Sequence, residues 1–263
     1  MKKYFVIGNP IDHSFSPKVH NFWIKQNNIK AIYEKIKLEE NQIQSFIGEI
    51  KEQKIAGCNV TVPFKKKVIP FLDQLSLEEK TQSVNTIVYD NGNLIGHNTD
   101  IVGFEKAIKN LNFDMQNKKI FILGAGGVVP SIIFALKKMN VSKIIISNRT
   151  KEKAEDLKSQ FHNLEVLDWG DINDFDVIIN ATSLGLNKES INLDFSKFAN
   201  NKVFYDVIYN PEETNFLKEG KRLGNRTENG KLMFIYQAFE AFKLWHGIEP
   251  QINSNTLEIL NND

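Results

Sequence analysis

The sequence predicts an α/β protein in two domains with a cleft between them, and three observations carry that prediction. Short apolar runs alternate with longer amphipathic stretches along the chain, the pattern of parallel βαβ units with helices on both faces. One run, Ile120 to Leu123, opens directly into a glycine-rich turn followed by a helical segment. A hairpin signal and then a helix start near residue 99 separate that unit from the chain before it. The length of 263 residues fits one large domain or two small ones, and either buries a real core.

Taken in order, Tyr4 to Ile7, Ala56 to Val62, Ile120 to Leu123, Lys143 to Ser147, Val177 to Asn180 and Val203 to Val207 read as buried strands. Pro17 to Gln26, Glu39 to Lys54 and Lys151 to Phe161 read as helices between them. Val84 to Tyr89 and Leu94 to His97 flank Asp90-Asn91-Gly92-Asn93, a hairpin turn. Thr99 then reads as an N-cap and Ile101 to Leu111 as an amphipathic helix. The last long helix, Gly230 to His246, is apolar on most sides, so it is expected between the domains or against the first.

Composition narrows the classes. Hydrophobic residues make up 41% and charged residues 25%, which is ordinary for a soluble globular chain. A net charge of +1 supplies no basic field for nucleic acid or an anionic membrane. The single cysteine, Cys58, fits a reducing cytoplasmic setting. The N-terminal apolar run is too short for a signal peptide, and no run reaches a membrane span. Five scattered histidines give no metal-ligand spacing, so no metal is expected.

The turn Gly124-Ala125-Gly126-Gly127-Val128-Val129 sits between strand and helix, where glycines let the backbone approach a pyrophosphate and the helix N-terminus faces its charge. Val129 stands at the usual third small residue, and Pro130 falls in the first helical turn, where a missing N–H is tolerated. A glycine turn without a ligand is the alternative. The next strand ends in Asn148-Arg149-Thr150 rather than in the acid that grips an NAD ribose. A guanidinium there can clamp a 2′-phosphate, which points to NADP.

In Gly57 to Lys67, an apolar strand runs into Pro63, which is expected to open a short helix carrying Lys65, Lys66 and Lys67 in its first turn. Cations there oppose the helix dipole, so one is expected to serve chemistry, and Lys65 is the candidate. Asp100 alone reads as a helix-start acid. Ser14 and Ser16, ahead of Pro17, either cap a helix through Ser16 or hold a small anion such as a carboxylate. A hydrolase triad of Asp12, His13 and Ser14 is rejected, because triads are spatial and no nucleophile elbow is present.

Together these segments resemble the shikimate dehydrogenase family from about Phe5 to about Pro250. The most specific pieces are Ser14-Phe15-Ser16, Asn59 to Lys65, Val84-Asn85-Thr86, Asn98-Thr99-Asp100, the glycine turn, Asn148-Arg149-Thr150, Asn180 to Ser183, Tyr209-Asn210-Pro211 and Tyr236-Gln237-Ala238. The resemblance implies reversible NADPH-dependent reduction of 3-dehydroshikimate to shikimate, on the route to aromatic amino acids. It implies Lys65 and Asp100 as the catalytic pair, and Ser14 and Ser16, with Tyr209, on the substrate carboxylate. Thr61, Asn85, Asp100 and Gln237 would meet ring hydroxyls. Gly124, Ala125, Gly126, Gly127, Val128, Asn148, Arg149, Thr150 and Lys153 would take the NADP phosphates and adenosine ribose. Val207, Gly230 and Met233 would lie near the nicotinamide.

By the same resemblance, residues 1–99, completed by a C-terminal helix over 236–263, form the substrate domain, and 100–235 a Rossmann-like NADP domain. The expected partner is a small-molecule substrate, with neither nucleic acid nor membrane, in a monomer or homodimer. Gln82-Ser83, Leu232, His97 and Val129 depart from the family's usual residues, and none touches Lys65 or Asp100. The rivals are a quinate/shikimate dehydrogenase of relaxed specificity, often NAD-using, a non-catalytic NADP-binding homologue, and another two-domain NADP enzyme such as methylenetetrahydrofolate dehydrogenase.

Overall fold

The computed structural model describes residues 1–76, 81–187, 189–198 and 200–260. The chain divides into two compact units, Met1–Gly103 with Ile235–Asp263, and Phe104–Phe234.

The first unit runs β1 (Lys2–Gly8), α1 (Ser16–Gln26), β2 (Ala31–Lys37), α2 (Ile43–Lys51), β3 (Gly57–Val60), β4 (Gln74–Leu75), β5 (Thr86–Asp90), β6 (Asn93–His97) and the start of α3 (Thr99–Asn110). Its sheet has the order β2-β1-β3-β5-β6-β4. The strands β2, β1 and β3 are parallel, as expected of βαβ units. The hairpin then adds β5 and β6 antiparallel, so the sheet is mixed. Its turn is set by Asn91 and Gly92, both at positive φ, 47° and 89°. Ile7, Phe46, Ile50, Val60, Phe64 and Ile87 form the centre of its core. Each such burial contributes about 1.5–3 kcal/mol. The C-terminal part of α7 (Lys231–His246) belongs to this unit. Trp245 donates from Nε1 to the Ile87 carbonyl at 3.0 Å and lies where a side chain at Gly57 would collide with it.

Local expectations were overridden at four places. No helix opens at Pro63: residues 65–68 form turns and a 3₁₀ turn follows at Ile69–Phe71. Burial of Phe64 and Val68, and the bond from Val84 N–H to the Lys65 carbonyl at 2.9 Å, hold the chain to the sheet instead. The dipole argument for Lys65 therefore does not apply. Ser16 does not cap α1 but is its first residue, and its N–H donates to Ser14 Oγ at 3.3 Å. Thr99 likewise begins α3, and its N–H is taken by the Asn85 side chain at 2.8 Å. The helix expected over Glu39 to Lys54 is shorter: a 3₁₀ turn, Glu40–Gln42, leads into α2.

The second unit runs β7 (Lys119–Leu123), α4 (Val129–Lys138), β8 (Lys143–Ser147), α5 (Lys151–Gln160), β9 (Leu164–Leu167), β10 (Val177–Asn180), β11 (Val203–Asp206), α6 (Asn215–Arg222) and β12 (Arg226–Glu228). All six strands of its sheet are parallel, in the order β12-β11-β10-β7-β8-β9. One face packs Phe121, Phe175, Phe204 and Phe216 with Leu123 and Ile178. Strand order reverses between β7 and β10, the topological switch point where such sheets bind ligands beyond their carboxyl ends. Among the described residues no helix is long and apolar enough to cross a membrane, and no cluster of His, Cys, Asp or Glu could hold a metal ion.

His20 on α1 is buried in an aromatic nest. It stacks on Tyr33 with ring centres 4.2 Å apart and planes 4° apart, and neither ring nitrogen has a hydrogen-bond partner. Burial, reinforced by His246, lowers its pKa from 6.5 to about 3. The unfolded chain therefore takes up this proton below pH 6.5, and the folded chain only near pH 3. The stability this site contributes is complete above pH 6.5 and is lost as the pH falls toward 3, up to about 5 kcal/mol. His20→Phe is expected to flatten the loss of stability between pH 6.5 and 4 in urea titrations. His246, also lowered by burial, to about 4, keeps part of the slope.

Candidate active site

In the first unit, Lys65 follows the turn after β3, anchored by buried Phe64 and Val68 on either side. Its Nζ meets Asp100 Oδ2 at 2.5 Å. Both side chains are largely buried, with 13% and 9% of their surface exposed. Asp100 sits in the first turn of α3, where the helix dipole favours its charge. Lys67 pairs with Glu40. Lys66 is exposed. The lysine run thus separates into one buried pair and a solvated remainder.

A buried hydrogen-bond network fixes the ground beneath this pair. Asn85 Oδ1 accepts from the Thr99 N–H at 2.8 Å, and its Nδ2 donates to Thr99 Oγ1 at 3.0 Å, which ties β5 to the start of α3. Asn59 on β3 donates from Nδ2 to the Asn85 carbonyl at 3.1 Å and to Thr86 Oγ1 at 2.9 Å. Its Oδ1 accepts from the Tyr33 hydroxyl at 2.6 Å. Burial holds the pKa of that phenol well above its ordinary value. Ser14 donates to Ser16 Oγ at 3.2 Å. One connected frame therefore runs from Tyr33 to the helix end that carries Asp100. None of its buried side-chain polar atoms lacks a partner, the condition under which a polar core is rigid rather than costly.

Thr61 and Gln237 belong to the same unit, Thr61 just beyond β3 and Gln237 on α7; both are half-buried. Gly8 makes room for Thr61, because a Cβ there would stand 2.5 Å from Thr61 Cγ2. Sequence reasoning missed Tyr33, Thr86 and the structural task of Asn59. The one signal available was polar Asn59 inside an otherwise apolar strand.

In the second unit the glycine turn joins β7 to α4. Gly124 has φ +108°, and a Cβ on it would stand 2.8 Å from the Ala181 carbonyl, so only glycine fits. Gly126 and Gly127 are exposed, and nothing crowds Gly126 closer than 3.9 Å. The turn thus leaves its backbone open to a diphosphate at the N-terminus of α4. Ala125 and Val128 are half-buried beside it. Val129 is fully buried and packs α4 onto the sheet, the task a third small residue would otherwise serve.

At the end of β8, Asn148 Nδ2 donates to the Thr150 carbonyl at 2.7 Å and shapes the turn. Arg149, Thr150 and Lys153 are exposed there, while Lys151 pairs with Asp168 at 2.7 Å. These residues fit a dinucleotide with a phosphate on its adenosine ribose. Val207 and Gly230 lie against each other: a Cβ on Gly230 would stand 2.1 Å from the Val207 carbonyl oxygen. Tyr209 stacks on Phe234 at 4.5 Å between ring centres, and Met233 is buried.

A parallel sheet with an open glycine turn, in one chain with a buried lysine–carboxylate pair, fits a dinucleotide-dependent oxidoreductase. Comparison with known proteins agrees. Family models match in three segments: the shikimate dehydrogenase substrate binding domain at residues 6–87, shikimate / quinate 5-dehydrogenase at 105–204, and the shikimate 5′-dehydrogenase C-terminal domain at 232–253. A curated shikimate dehydrogenase (NADP(+)) of Pelagibacter ubique is 55% identical over 263 residues, covering 99% of both chains. The crystal structure of shikimate dehydrogenase from Aquifex aeolicus superposes with a TM-score of 0.91 at 36% identity, covering 100% of this chain and 98% of that one. The Thermus thermophilus enzyme, solved in complex with NADP(H) and shikimate, gives 0.90 at 29% identity and covers 99% of each chain. This chain belongs to the shikimate dehydrogenase family.

Proposed function

We propose that the protein catalyses the reversible NADPH-dependent reduction of 3-dehydroshikimate to shikimate. The observation that carries this reading is the buried Lys65–Asp100 pair, 2.5 Å apart, at the start of α3 that the Asn85–Thr99 bond fixes.

Bound NADPH supplies the hydride that reduces the ring carbonyl. Negative charge then develops on the carbonyl oxygen, and the Lys65 ammonium stabilises it and hands it a proton from Nζ. Asp100 orients that ammonium and accepts from the resulting hydroxyl; the two act as a coupled pair. Asn85, Thr61 and Gln237 hold the other ring hydroxyls. Ser14 and Ser16 donate to the substrate carboxylate, with Tyr209. Gly124 to Val128 receive the diphosphate, and Asn148, Arg149, Thr150 and Lys153 the phosphorylated ribose. Val207, Gly230 and Met233 line the nicotinamide end.

The enzyme would serve aromatic amino-acid biosynthesis in the cytoplasm. A free buried Cys58 suits that compartment.

The reading is tested by incubating 3-dehydroshikimate with NADPH and identifying the product by NMR. Shikimate formed one-for-one with NADPH consumed supports it; no reduced ring product contradicts it. Ser16→Ala removes a donor to the carboxylate and is expected to raise KM for shikimate about tenfold, with kcat changed less than threefold. Initial-rate kinetics check this.

A further inference from the structure

The second unit buries a carboxylate that the proposed function does not use. Asp206 ends β11 with no surface exposed. Its Oδ1 accepts from Asn180 Nδ2 at 3.1 Å and from the Ile208 N–H at 3.0 Å, and its Oδ2 accepts from the Thr214 hydroxyl at 2.6 Å. Among the described residues no ion pair includes it. Burial raises its pKa to about 6, with the three donors opposing, so it is ionised at pH 7.5.

An unpaired anion in a sheet interior is expensive. Here three donors and no acceptor face it, and the Thr214 oxygen already accepts from the Leu217 N–H as the cap of α6. An asparagine amide at 206 would meet a donor, so the site holds the carboxylate in its ionised form.

Topology says where that charge lies. Arg149 at the end of β8 marks the adenosine side of the switch point, and the glycine turn after β7 marks the diphosphate. A dinucleotide crossing such a sheet carries its other half over the ends of the strands beyond the switch, here β10 and β11. Asn180 and Asp206 are the last residues of those two strands.

We propose that Asp206 is a charge-tuning residue, a buried anion beneath the nicotinamide half of the cofactor that favours the cationic oxidised ring over the neutral reduced one. This rests on the reading that NADP binds at the glycine turn with its nicotinamide by Val207 and Gly230. Hydride transfer from NADPH leaves one positive charge on that ring, and a fixed anion below it lowers the energy of that state.

The test is equilibrium binding. NADPH affinity is read from its own fluorescence, and NADP+ affinity by competition. Asp206→Asn is expected to raise the ratio Kd(NADP+)/Kd(NADPH) about three- to tenfold. Thr214→Val keeps the carboxyl but removes its shortest hydrogen bond, so less of it is ionised at neutral pH. It shifts the ratio in the same direction by a smaller factor, and it carries the test should Asp206→Asn not fold. A merely structural role changes both affinities equally, and an unchanged ratio in the folded variants overturns the proposal. Gly230→Ala, which pushes on the Val207 carbonyl, separates the underlying reading. If it weakens both forms while the Asp206→Asn ratio stays fixed, only the charge proposal fails. If it weakens neither, the nicotinamide placement fails, and the proposal with it.

Discussion

Lys65→Ala is expected to lower kcat for shikimate oxidation about a thousandfold or more, while NADP+ binds as before. Two effects are lost together: the proton donor, worth about 10²–10⁴, and the charge on the developing oxyanion, worth about 10²–10³. They reside in one ammonium and do not multiply. NADP+ affinity stays because the residues proposed for it lie in the other unit, Phe104–Phe234. The variant also leaves Asp100 nearly buried without its cation. Its place at the N-terminus of α3 softens that cost, so a lower Tm with the fold retained is expected. Steady-state kinetics with a fluorescence titration of NADPH separate the two outcomes. A variant with near-normal kcat removes Lys65 from the chemistry.

Arg149→Ala is expected to lower kcat/KM for NADP+ about 10- to 100-fold and to leave NAD+ nearly unchanged. Charge-assisted bonds from a guanidinium to a phosphate contribute about 1.5–3 kcal/mol. NAD+ has no 2′-phosphate to lose them. Arg149 is exposed, so its removal strips no packing from the fold. Arg149→Asp should go further and bring NAD+ turnover above NADP+ turnover, since an acid in this turn suits a free ribose hydroxyl. Comparing kcat/KM for the two cofactors in each variant checks both statements. Equal losses with NADP+ and NAD+ would mean that Arg149 does not read the phosphate.

How far the sequence reveals these features depends on how local their causes are. The glycine turn is legible because its glycines, the strand before it and the helix after it lie within about twenty residues. The hairpin is legible for the same reason: Asn91 and Gly92 adopt the positive φ that such turns require. Lys65 can be singled out from a lysine run, whereas Asp100 alone reads as a helix-start acid and enters only through the family resemblance. Their bond spans 35 residues and exists only once β3, β5 and β6 have paired. Pro63 shows the reverse. A local preference for opening a helix lost to the burial of Phe64 and Val68, so the reason for choosing Lys65 did not survive, and its candidacy now rests on its pairing with Asp100.

Tyr33 stayed invisible because an aromatic in a short alternating strand reads as core, and its hydroxyl partner Asn59 is 26 residues away. Asp206 falls inside Val203 to Val207, which reads as a buried strand, but the sequence offers it no partner. Only the folded sheet shows Asn180, Ile208 and Thr214 closing over it.

The most direct measurement of the central claim is the initial rate of nicotinamide reduction with shikimate or quinate, each offered with NADP+ or NAD+. The account predicts that shikimate with NADP+ exceeds every other pairing in kcat/KM by at least about tenfold, and that Lys65→Ala abolishes that rate. Quinate or NAD+ serving equally well would contradict it, as would no turnover in any pairing while NADP+ still binds.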